Sequence, residues 1–93
     1  MFCELCGRMI IIGTESRHHL IPKSRNGAHD NYVYVHEVCH KQIHALFTEK
    51  RLEREYNTID KLREHKDVQR FIIWIAKKPL GFNRKLRMRK KNR

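Results

Sequence analysis

Two adjacent imidazoles, His18 and His19, precede an apolar pair and a proline, and two more, His40 and His44, stand four residues apart later in a 93-residue chain. Histidines grouped in this way bind metal ions or move protons near neutral pH. Three cysteines add thiolate chemistry. Cys3-x-x-Cys6-Gly7 has the spacing of a knuckle turn in which two thiolates converge on one zinc. A redox pair would instead sit at a helix N-terminus after a strand, whereas Gly7 followed by Met9 to Ile12 reads as a turn into a short strand.

Helical spacing sorts these residues into two groups. At i and i+4 on one helix, His40 and His44 lie a turn apart on the same face and can share an ion. Cys39, one position earlier, points about 100° away and serves a different site. Cys3, Cys6, Cys39 and one further residue then make a closed four-coordinate zinc site. His36, three before Cys39, is the best fourth ligand; being also four before His40, it could extend the histidine stripe instead. The second group is His18 or His19 with His40 and His44, an open site that leaves positions for water and phosphate oxygens. Neighbours on an extended strand point to opposite sides, so one histidine can hold metal while the other faces the attacking water.

These residues need an α+β framework. Residues 9–12 and 17–21 flank Gly-Thr-Glu-Ser and read as a hairpin-like excursion. Residues 22–31 have the Pro, Asn-Gly and Asp-Asn content of an irregular loop, and residues 32–35 are a β-prone run. Helix is expected over 37–47, over 49–56, and from 59 to about 77 with a break near 65–67. Thr48, Thr58 and Asp67 are the expected N-caps. Leu62, Val68, Phe71, Ile72 and Ile75 form an apolar stripe, and Trp74 reads as packing. We expect one domain over residues 1–79, with the metal-binding unit at about 17–47 and a helical extension over 48–79, followed by a basic tail over 80–93.

A chain this short gains little stability from burial alone, and some staple is expected. An odd number of cysteines and the lack of an apolar run after the N-terminus point to a reducing cytoplasm rather than a disulfide scaffold. No stretch is apolar enough for a membrane span. That leaves metal. The balance of 21 Lys and Arg against 10 Asp and Glu, a net +11, favours a polyanionic partner, nucleic acid first. Seven of those basic residues, with no acid, lie in 84–93. Arg84, Lys85 and Arg87 are therefore candidate phosphate contacts, against the reading of a merely solvated end.

Arg17-His-His-Leu-Ile-Pro22, then Asn31, then Cys39-His-Lys-Gln-Ile-His44, enclosed by the two knuckle halves, resembles the HNH endonuclease family and its ββα-metal fold. The resemblance implies a small ββα-metal core with a zinc knuckle, followed by C-terminal helices. It makes His19 the general base and His18 a metal ligand where many members have aspartate. Asn31 becomes the residue whose amide holds the loop that orients the base, and His40 and His44 the remaining ligands. The family's second knuckle half is usually Cys-x-x-Cys; here His36 replaces the first cysteine.

The expected function is metal-dependent hydrolysis of DNA phosphodiesters by a single-metal mechanism, leaving 5′-phosphate and 3′-hydroxyl ends. Two metals are implied, a structural zinc and one catalytic divalent ion. Imidazoles suit zinc, nickel or manganese on softness grounds, while family members often use magnesium or manganese. Arg17 and Lys41 are candidate phosphate clamps. One site cuts one strand, so a monomer would nick and a weak dimer could cut both. Such a chain would be encoded by a bacterium or a phage. The competing reading is a zinc-stapled nucleic-acid-binding module without catalysis, which would need neither His19 nor a complete His-x-x-x-His.

Overall fold

The computed structural model describes residues 1–80 and 82. Strand β1 (Glu15–His19) pairs antiparallel with β2 (Tyr32–His36), and four helices follow: α1 (Glu37–Leu46), α2 (Glu49–Arg54), α3 (Ile59–Glu64) and α4 (Lys66–Ile75). A short 3-10 turn, Lys23–Arg25, lies in the loop between the strands. The α+β arrangement is therefore the expected one.

The strand pairing corrects one expectation. Residues 9–12 do not form a hairpin with 17–21: Met9 bridges back to Phe2, and Glu15 to His19 pair with His36 to Tyr32. A tight turn does form over Ile11–Thr14, closed by Thr14 N–H to the Ile11 carbonyl at 2.9 Å. The better partner for β1 is the β-branched and aromatic run of β2. Its Val33 and Val35 face the same side as His18 and Ser16, and His18 and Val35 are both fully buried.

Helix α1 follows β2 without a loop, His36 being the extended residue at its N-cap position. Val38, Cys39 and Ile43 bury one side of it. Thr48 and Thr58 cap α2 and α3 through their side-chain oxygens, as expected. Asp67 is not the cap of α4. His65 Nδ1 accepts the Asp67 backbone N–H at 3.1 Å, and Asp67 sits in the first turn, 3.3 Å from Arg70. An imidazole nitrogen can accept such a bond as an oxygen can, so the cap lies two residues before Asp67, while the break itself falls at His65, within the expected 65–67. Leu62, Val68, Phe71 and Ile75 are buried and Ile72 partly so, the expected stripe. Trp74 packs partly buried against this core.

One cluster of buried residues runs from Cys3, Leu5 and Ile10 through Ile43 and Phe47 to Leu52, Leu62 and Phe71. Arg8 ties its two ends together by donating to the Ile75 carbonyl at 2.8 Å, a cation on the open end of α4. Among the described residues, no helix is long and apolar enough to cross a membrane.

Candidate functional site

The cysteines meet where the N-terminal turn touches the β2–α1 junction. Gly7, at φ +82°, lets the chain reverse so that its N–H reaches the Cys3 carbonyl at 2.8 Å. Cys3 Sγ accepts backbone N–H groups from Cys6 at 3.5 Å and His36 at 3.4 Å. One ligand atom from each of Cys3, Cys6, His36 and Cys39 lies within 4.8 Å of the others, close enough to surround a single ion.

His36 belongs to this group and not to the histidine stripe. Its Nε2 donates to the Met9 carbonyl at 2.9 Å, because a carbonyl can only accept. Nδ1 is then the lone-pair nitrogen, and it lies 3.4 Å from Cys6 Sγ and 3.9 Å from Cys39 Sγ. The three thiols share protons. Donation from Cys39 and Cys6 pushes the Cys3 thiol well below its usual range, while their bonds to Cys3 push Cys39 and Cys6 up. Three thiolates this close need a cation, and the donor set of three sulfurs and one imidazole suits zinc.

The second group lies between β1 and α1. His18, His40 and His44 each offer a nitrogen within 4.8 Å of the others, with ring centroids 4.9–5.6 Å apart. Consecutive residues of one helix, Cys39 and His40, thus face different groups, as their spacing requires. Burial lowers the His18 pKa to about 3, helped by His40 and His44, and burial lowers that of His40 to about 4. Burial also lowers that of His44, against the opposing pull of Glu49. All three rings are therefore neutral at pH 7, the form in which an imidazole can bind a metal ion. Both nitrogens of His18 are buried without a hydrogen-bond partner among the described residues, a costly arrangement, and a bound cation would partner one of them. The residues present fit a metal ion.

His19 faces elsewhere. Its Nε2 donates to the His29 carbonyl at 3.1 Å, which leaves Nδ1 as the accepting nitrogen of the neutral ring. With His40, His44, Arg17, Lys23 and Glu49 it lines a cleft of about 270 Å³. Arg17 is exposed and stacks its guanidinium 4.9 Å from the centre of the Tyr32 ring. Lys41 is not in the cleft lining; it pairs with Glu37 at 3.9 Å along the helix. Asn31 is exposed, and its backbone ties the loop: Leu20 N–H donates to its carbonyl and its N–H to that of Ala28, both at 3.1 Å. Arg84, Lys85 and Arg87 lie outside the described residues.

Three residues enter that sequence reasoning missed. Ser16 Oγ lies 2.7 Å from His40 Nδ1, so Nε2 is the nitrogen left for the histidine centre. Lys23 adds a cation to the cleft, and Glu49 adds a carboxylate that accepts from Ser24 Oγ. For Ser16, alternation along β1 was the available signal, since it points to the same side as His18. Lys23 and Glu49 arrive by tertiary approach and carry no local signal.

Comparison with known proteins follows the same lines. The family model described as HNH endonuclease matches residues 3–46. The uncharacterized protein YisB of Bacillus subtilis (strain 168) is 43% identical over 77 residues, covering 83% of this chain and 75% of that protein. No solved structure matches the chain. The match spans both ligand groups and both strands, and the likeness to YisB extends well beyond that segment, so the chain belongs to the HNH endonuclease family, with the nuclease-type function of that family.

Proposed function

We propose that the chain is a metal-dependent DNA endonuclease that hydrolyses one phosphodiester per encounter, with His19 as general base. The observation that carries this reading is the contrast between neighbours: His18 is buried with two unpartnered nitrogens beside His40 and His44, while His19 lines the cleft with its Nε2 committed to the His29 carbonyl. Zinc on Cys3, Cys6, His36 and Cys39 is the staple that holds the knuckle to α1.

His18, His40 and His44 would hold the catalytic divalent ion. When bound, that ion supplies positive charge to a non-bridging phosphate oxygen and to the departing 3′ oxygen. The residues do the rest. His19 Nδ1 accepts a proton from water as the water oxygen bonds to phosphorus and the bond to the 3′ oxygen breaks. The His29 carbonyl keeps the Nε2 proton in place, so the ring cannot present the wrong tautomer. Arg17, placed over the Tyr32 ring, and Lys23 bind the phosphate oxygens. The departing 3′ oxygen takes a proton from solvent water, and the products are 5′-phosphate and 3′-hydroxyl ends. The basic segment 84–93 adds salt-dependent affinity for the DNA backbone.

A supercoiled plasmid tests this reading. With magnesium, manganese, nickel or zinc supplied in turn, open-circular product is expected with at least one metal, and excess chelator abolishes it. His19→Ala keeps metal and DNA binding and loses about 10²–10⁴-fold in rate. If no metal supports nicking, the reading is wrong and the binding-module alternative stands; if His19→Ala cuts at the parent rate, the base assigned here is wrong.

A further inference from the structure

The outer face of the knuckle is strongly apolar, and its side chains belong to neither ligand group. Met1, Phe2, Met9, Ile11 and Ile12 are 51, 65, 52, 45 and 89% exposed. They form one surface. Phe2 and Met9 are bridge partners and present their side chains to the same side. Ile10, between Met9 and Ile11, is 1% exposed, so its two neighbours alternate outward. Ile12 stands at the corner of the turn over Ile11–Thr14, which is fixed by two bonds to the Ile11 carbonyl, from Thr14 N–H at 2.9 Å and Thr14 Oγ at 2.6 Å. Gly13, at φ +93°, supplies the left-handed residue that this turn requires.

Charge distinguishes the possible occupants. The chain carries +11, yet residues 1–16 hold two glutamates and one arginine. DNA would therefore gain little from this face, and two copies could approach through it without repulsion from the basic surfaces. Apart from the Met1 ammonium, the five residues carry no charge, and an uncharged apolar face can pair with its own copy under a two-fold axis. The area suffices. At ~200 Å² for a full side chain, the five residues expose about 600 Å², and two copies would bury about 1,200 Å², the lower bound for a specific interface. Patches of this size on small proteins mark interaction sites.

We propose that the apolar face formed by Phe2, Met9, Ile11 and Ile12 is a homodimer interface, on which a second copy of the chain docks with its own knuckle. Each copy keeps its own cleft, and on the nuclease reading the dimer would carry two cutting centres. The association itself does not depend on that reading.

Sedimentation velocity of the zinc-loaded full chain tests it without any cleavage assay. The mass should rise from monomer to dimer between ~1 and ~100 µM, in keeping with an interface of modest area. Phe2→Glu/Ile12→Glu should weaken association by about 30-fold or more, the effect of removing an interface hot spot. Zinc content and circular dichroism confirm that the variant is folded; should it not fold, Ile12→Glu alone, at the exposed turn corner, carries the test. Ile73→Glu, equally exposed on α4, should leave the mass curve unchanged. A parent chain that stays monomeric throughout this range overturns the proposal. So does a folded variant that dimerises as before, or one that loses DNA affinity with no change in mass.

Discussion

Replacing His18 by leucine should make the protein more stable and destroy the function we assign to it. The imidazole is fully buried with both nitrogens unpartnered. An unsatisfied buried polar group costs about 1–3 kcal/mol, and leucine fills a similar volume without one. With one equivalent of zinc, enough for the knuckle alone, His18→Leu should therefore gain about 1–3 kcal/mol at pH 7. Acid enlarges the gain. The folded-state pKa of His18 is about 3, far below the ordinary 6.5, because burial disfavours the charged ring. Below pH 6.5 the unfolded chain takes up a proton that the folded chain refuses, so parent stability is full above 6.5 and falls as pH drops toward 3. The slope is about 1.4 kcal/mol per pH unit, so at pH 5 the variant should gain about 2 kcal/mol more. Knuckle protonation acts on both proteins and cancels in the difference. Urea unfolding between pH 5 and 7.5 measures it. Nickel or manganese should then stabilise the parent and leave the variant unchanged. If His18→Leu is less stable than the parent at pH 7 by an amount independent of pH, the unpartnered, neutral His18 described above is wrong.

Three further outcomes are expected. Cys39→Ser should abolish tight zinc binding and cooperative unfolding together, since structural zinc supplies folding free energy; zinc analysis and a thermal melt decide it, and an unchanged melt refutes the staple. Ser16→Ala should lower affinity for the second metal about 10- to 100-fold by calorimetry, with the knuckle zinc retained, and Ser16→Thr should restore it. Gly27→Ala places a Cβ 1.8 Å from the Ile21 carbonyl oxygen, so the loop must shift. Because that loop carries the His29 carbonyl that fixes His19, single-turnover cleavage should fall about 10²-fold while calorimetric metal affinity holds.

Ligand spacing was readable because helix geometry is local. The i, i+4 relation of His40 to His44 and the one-residue offset of Cys39 placed them in separate groups without knowledge of the rest of the chain. The position of His36 was not decidable that way: its spacing suited both groups, and only the approach of Met9, whose carbonyl fixes the ring, commits it to the thiols. Strand pairing failed for a similar reason. Residues 9–12 have strand character, but pairing is settled by which partner buries a continuous face, and β2 offers Val33 and Val35 under α1. Thr48 and Thr58 were legible as caps because hydroxyls are common there, whereas His65 was hidden because imidazole caps are rare. Lys23 and Glu49 reach the cleft through the packing of the inter-strand loop on α2, where Arg25 meets Glu53 at 2.9 Å.

Because Cys39 and His40 are consecutive yet face different groups, the tolerance of the chain to changes in length is uneven. Inserting one residue in a helix turns everything beyond it by about 100° and advances it about 1.5 Å. Between Cys39 and His40, such an insertion would leave the thiols in place and swing both helical histidines away from His18. Between His40 and His44 it would split the histidine pair itself. Between His36 and Cys39 it would shift a thiol away from its partners or carry both histidines out of register with β1. No single insertion from His36 to His44 spares both groups, so length variation among relatives should be absent from this nine-residue span and found outside it, as in the connection between α2 and α3.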